Sequence, residues 1–123
     1  MDRDVVSITS DADGAGTGRS RPLNGLLHSI RLVAHASTPY ANTVDITITD
    51  DLTGAAILTL TNQSGSGTFY PRAATVDVSN AAALYAAAGQ PVNDKIPIMG
   101  QVKIVIAQAG DTKSGVFYIH VAD

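Results

Sequence analysis

An all-β fold follows from three features of this 123-residue chain. Apolar and polar residues alternate with period two over much of its length, glycine- and aspartate-rich turns interrupt that alternation at short intervals, and one stretch alone reads as helix. The expected architecture is a single domain spanning residues 1–123: a jelly-roll-like β-sandwich of about eight short strands with one short helix.

Asp4 to Thr9 reads as the first strand, with Val5, Val6 and Ile8 among polar residues. Asp11 to Gly18 reads as a turn region, because Gly14, Gly16 and Gly18 accompany two aspartates. Arg19 to Leu23 forms a short paired segment that ends at Pro22. Gly25 to Ala36 is the longest apolar stretch. Read as a strand, it places Leu26, His28, Ile30, Leu32 and Ala34 on one face and Leu27, Ser29, Arg31, Val33 and His35 on the other. The cleanest alternation follows, with Val44, Ile46 and Ile48 facing one way and Asp45, Thr47 and Thr49 the other. The turn Asp50 to Gly54 and the return strand Ala56 to Thr61 complete a hairpin. Thr68 to Tyr70 is a short strand stopped by Pro71. Ala81 to Ala88 is the expected helix, alanine-rich, with Asn80 as N-cap and Gly89 as stop. Strands around Ile96 to Met99, over Val102 to Gln108 and over Val116 to Val121 finish the chain.

Composition narrows the function classes. A hydrophobic fraction of 45% with 15% charged residues describes a globular chain of sufficient length for its own core. Much of that fraction is alanine and aromatics are scarce, which predicts a thin core that association with another molecule would complete. The formal charge of −3 argues against a general nucleic-acid or membrane-surface binder, since such binding wants a basic face. Cysteine is absent, which removes disulfides and thiolate metal sites. No apolar run of roughly 20 residues and no signal peptide is read, so synthesis in the cytoplasm is expected.

Each catalytic or metal reading fails on its neighbours. His28 and His35 fall on opposite faces of one strand and cannot share an ion, and a pairing of either with His120 lacks a third ligand, so no metal is expected. Asp11-Ala12-Asp13-Gly14 opens like a calcium loop but continues without the further ligands. Ser66, between Gly65 and Gly67, lacks the strand–turn–helix setting of a nucleophile elbow. Gly14 to Gly18 has neither the spacing of a dinucleotide fingerprint nor a phosphate-loop lysine. Glutamate does not occur at all. A non-enzymatic protein without cofactor is expected. The basic residues Arg19, Arg21, Arg31, Arg72, Lys95, Lys103 and Lys113 are spread along the chain without a run.

Several segments together resemble a family of small structural proteins of tailed-bacteriophage virions. They are Ile8 to Gly14, Val44 to Thr49, Ile57 to Asn62, the string Phe69-Tyr70-Pro71-Arg72-Ala73-Ala74, and Val102 to Asp111 followed by Lys113-Ser114-Gly115. The resemblance covers nearly the whole chain. It implies a capsid decoration, or cement, protein that binds the outside of the major capsid shell and stabilises it. The major capsid protein is then the partner, a homo-oligomer (a dimer first) the expected state, and the virion surface the location, with no nucleic acid or membrane bound. Two alternatives are a head–tail connector or tail component, and a carbohydrate-binding or adhesion module, though the chain has no tryptophan for a sugar platform. The candidate capsid contacts are Asp2, Arg3, Asp4, Arg19, Arg21 and Arg72. They belong to a polar N-terminal stretch and to the connection from Pro71 to Pro91, which is long for a hairpin.

Overall fold

A computed structural model describes residues 2–76, 78–84, 89 and 92–122. They form eleven strand segments: β1 (Asp2–Thr9), β2 (Gly16–Arg19), β3 (Leu23–Ala34), β4 (Asp45–Asp50), β5 (Ala56–Thr61), β6 (Gly67–Phe69), β7 (Arg72–Ala74), β8 (Asn93–Lys95), β9 (Pro97–Gly100), β10 (Val102–Ala107) and β11 (Ser114–Ala122). The count exceeds the expected eight because several segments are only three or four residues long.

Two antiparallel sheets enclose one core. The first runs β1-β11-β3-β6, with β9 also pairing β3, and the second runs β2-β10-β4-β5. β9 pairs with Leu23 to Leu26 and β6 with Ile30 to Leu32, so these two short strands lie end to end along one edge of β3. Every pairing is antiparallel, the arrangement that lets one face of a sheet be apolar and the other polar. Inward residues alternate along each strand: Val6 and Ile8 on β1, Phe117, Ile119 and Val121 on β11, Ile46 and Ile48 on β4, and Val102, Ile104 and Ile106 on β10. β-Branched side chains of this kind pack well on a pleated surface. Among the described residues Ala109 is the one alanine in the buried core, so the other described alanines lie outside it.

Three local expectations change. Gly16 to Arg19 is a strand rather than turn, and only the tip around Gly14 turns. Gly16 and Gly18 face inward beneath β1, where a Cβ would come within 2.9 Å of Ile8 and 2.8 Å of both Ile8 and Val6. Their role is close approach at the corner where the chain passes from one sheet to the other. In β3, Ile30 and Leu32 are buried as the alternation predicts, but Leu27 is buried and Leu26 exposed. The cause is a bulge: His120 pairs Ser29 while the next residue, Val121, pairs Leu27, which inserts His28 and reverses the faces beyond it.

The expected helix over Ala81 to Ala88 is absent from its described part. Asn80 has positive φ, at 63°, and Ala82 bridges Val76 in an antiparallel contact. Thr75 donates to the Val92 carbonyl, and Val92 donates to that of Ala83. Non-local backbone pairing thus takes the hydrogen bonds a helix would have used. Residues 85–88 lie outside the described residues.

Candidate interaction surface

The N-terminal charges that the sequence singled out meet at the corner between the sheets. Asp2 and Asp4, two apart on β1, both reach Arg21: Arg21 Nη2 donates to Asp2 Oδ1, and Arg21 Nε lies 3.7 Å from Asp4 Oδ1. The backbone N–H of Arg21 also donates to Asp4 Oδ2 at 2.8 Å. The hydrogen bonds from Arg21 and from the Arg3 N–H hold the Asp2 carboxyl below its ordinary value. Arg19 Nε donates to Asp51 Oδ1 at 3.1 Å, tying β2 to the β4–β5 turn. Asp2, Asp4, Arg19 and Arg21 are therefore matched within the chain. The segment is not a loose arm, since Asp2 to Thr9 pairs throughout with β11.

Arg3 belongs elsewhere, on the outer face of the first sheet, whereas Arg72 lies on β7, in the separate β7–β8 sheet, beside β3. The Arg3 guanidinium lies 5.4 Å from the Tyr118 ring centroid, and that of Arg31 lies 5.9 Å from the same ring. His120 sits across from Arg3 on one side and Ser29 on the other. Burial, then the positive charges of Arg3, His28 and Arg31, hold its imidazole below the ordinary value. His28 meets the Tyr70 ring edge-on at 5.9 Å, and Arg72 Nη1 donates to the His28 carbonyl at 3.1 Å. Arg3, Arg31, His28, His120 and Tyr118 thus share one face, and Tyr70 and Arg72 meet it at His28. Arg31, His28, His120, Tyr70 and Tyr118 are the members that sequence reasoning passed over as candidates. Alternation along β11 places Tyr118 and His120 together, but only the cross-strand register adds the others.

The remaining candidates have structural partners. His35 Nδ1 accepts from the N–H groups of Ser37 and Thr38, each at 3.1 Å, and so caps a turn apart from His28 and His120. Among the described residues no three metal-binding side chains converge. Asp11 Oδ1 accepts from the N–H groups of Asp13 and Ala15, which makes the calcium-like string an ordinary aspartate turn. Ser66 Oγ accepts from the Ala34 N–H and tethers the β5–β6 turn to β3. Pro22, Leu23, Asn24, Met99 and Gly100 line a shallow, open, mainly apolar depression of about 320 Å³ at the far end of β3. No described helix is long and apolar enough to cross a membrane.

A last feature is the excursion between β6 and β9. It carries the β7–β8 hairpin and leaves Tyr70, Val76, Val78 and Leu84 exposed. Both of its ends are held on the same edge of β3.

The architecture defines an all-β, sandwich-like protein whose outward-facing features are a cationic face and an apolar excursion. No protein-family model matches the chain, and no curated protein matches it. Among solved structures it is similar to that of FLHE, at 9% identity over 99% of this chain and 97% of that one, with a TM-score of 0.49. A likeness at that level carries no functional argument.

Proposed function

We propose that this chain is a non-enzymatic virion structural protein, a capsid decoration protein that binds the outside of the major capsid shell and stabilises it. The observation that carries the reading is the excursion from Pro71 to Ile96. It presents exposed Val76, Val78 and Leu84 on a sandwich that already has a closed core of its own. Apolar side chains concentrated on one projection are the usual mark of a protein-contact surface. Its two anchor points on β3 hold the projection against a rigid sheet, which limits the entropy lost on docking. The sequence resemblance to tailed-phage structural proteins names the partner class, the major capsid protein. Arg72, at the base of the excursion, remains a candidate contact, whereas Asp2, Asp4, Arg19 and Arg21 contribute through the corner they stabilise.

The test is attachment to the particle that carries this chain. The decoration reading expects a copy number that follows capsid stoichiometry, read by quantitative mass spectrometry of purified particles. It also expects the Val76→Asp/Val78→Asp variant to lose occupancy by tenfold or more while its melting temperature stays near that of the parent. A few copies per particle would instead indicate a connector or tail component. Unchanged occupancy of the variant would move the contact off the excursion.

A further inference from the structure

We infer that the outer face of the first sheet is a second docking surface, built to take an extended acidic segment of a partner protein through Arg3 and Arg31. The inference rests on the assembly reading above only in assuming a protein partner.

The outward register positions of this face carry Arg3, Val5, Ser7 and Thr9 on β1, Ser114, Val116, Tyr118 and His120 on β11, Leu26, Arg31 and Val33 on β3, and Thr68 on β6. No carboxylate stands among them. Among the described residues the ion pairs, Arg19 with Asp51 and Arg21 with Asp2 and Asp4, lie elsewhere. A chain of net charge −3 has thus gathered Arg3 and Arg31, with His28 and His120, on one sheet face with no acid among its described outward positions. The two arginine charges so placed repel one another, and an anionic partner relieves that repulsion.

The geometry selects the kind of anion. Tyr118 holds both guanidinium groups near one ring, which restrains two long side chains before any ligand arrives. A restrained guanidinium offers a planar pair of N–H donors, which matches a carboxylate fork. Alternate residues of an extended strand lie roughly 7 Å apart on one side, so carboxylates at i and i+2 can address two such neighbouring arginines. Within the chain, carboxylates at i and i+2 of an extended strand already reach a guanidinium from one side, where Asp2 and Asp4 on β1 share Arg21. Nucleic acid fits less well. The Tyr118 ring, the natural stacking platform, is already attended by two arginines, Tyr70 is engaged with His28, and the overall negative charge repels a long polyanion. Val5 and Leu26, both exposed on the same face, supply apolar contact for the partner's backbone.

Fluorescence anisotropy with labelled poly-L-glutamate tests this on the intact chain. Binding is expected to weaken steeply with added salt, and the Arg3→Gln/Arg31→Gln variant is expected to lose affinity by tenfold or more. The Arg3→Lys/Arg31→Lys variant keeps the charge but not the fork, and is expected to lose about threefold, which guards against reading misfolding as lost binding. Arg19→Gln, on the second sheet, is expected to stay within twofold of the parent. No binding by the parent protein, equal binding by the glutamine variant, or tighter binding to an oligothymidylate of similar length each overturns the assignment. No capsid enters the measurement, so its failure and that of the decoration reading are separately visible.

Discussion

Tyr40 shows how much one side chain can organise in this sandwich. Its hydroxyl donates to the Ile8 carbonyl at 2.8 Å, and its ring lies against Gly115, where a Cβ would come within 2.6 Å. One residue from the β3–β4 connection thereby ties that loop to β1 and β11. Removing the hydroxyl in Tyr40→Phe leaves a buried acceptor short of a partner, and a loss of about 1–3 kcal/mol is expected in chemical denaturation. Gly115→Ala meets the ring itself, and because Tyr40 is buried and cannot swing away, a loss of about 1–3 kcal/mol is expected there too. Burial also pushes the Tyr40 phenol well above its ordinary value of 10.0. The unfolded chain ionises this group near pH 10 while the folded one resists, so the stabilisation is whole below pH 10 and is lost as pH rises beyond it. Thermal melts at pH 8 and pH 11 are expected to show a steeper alkaline loss in the parent than in Tyr40→Phe, whose residue 40 does not titrate.

At the scale of elements, the bulge in β3 and the excursion before β9 set what the surface presents. By inserting His28, the bulge turns Leu26 outward and buries Leu27, and it brings His28 to the same outer face as His120. The excursion is a separable piece. The Thr75 N–H donates to the Val92 carbonyl at 2.8 Å, so its two legs meet at the base. Replacing residues 76–91 by a short Gly-Ser turn is expected to leave the sandwich folded, with a melting temperature close to the parent's, because none of the described residues in that range belongs to the buried core. The same deletion is expected to abolish attachment to particles if the excursion is the contact. A cooperative loss of the whole fold would instead make it a structural element.

For the molecule as a whole, stability resides between the two sheets. Ile104 is fully buried on β10, with β2 on one side and β4 on the other. Ile104→Ala is expected to cost about 2–5 kcal/mol in urea unfolding, through lost transfer energy and the cavity left behind. Surface changes such as Thr47→Ser on the opposite face of the same sheet are expected to stay within about 0.5 kcal/mol.

Most of the longer strands, the inward residues of β4, and the hairpin from Asp45 to Thr61 were legible in the sequence, because period-two alternation is a local property of the chain. The turn role of Asp11 and Asp50 was legible for the same reason: each carboxylate accepts from N–H groups two to four residues onward. What the tertiary structure alone decided was anything that depends on two distant segments meeting. The alanine run after Asn80 has good helix propensity, yet in its described part the backbone pairs with Val76, Thr75 and Val92, contacts no window of sequence contains. The glycines of β2 looked like turn residues and proved to be space for Val6 and Ile8. Arg3, Arg31 and Tyr118 are far apart in the chain, and only the order β1-β11-β3 and its register set them side by side. Propensity and alternation act over a few residues, whereas register and bulges are set by the packing of whole sheets. The longer strands could therefore be read from the sequence, and the short ones and the surface they all build together could not.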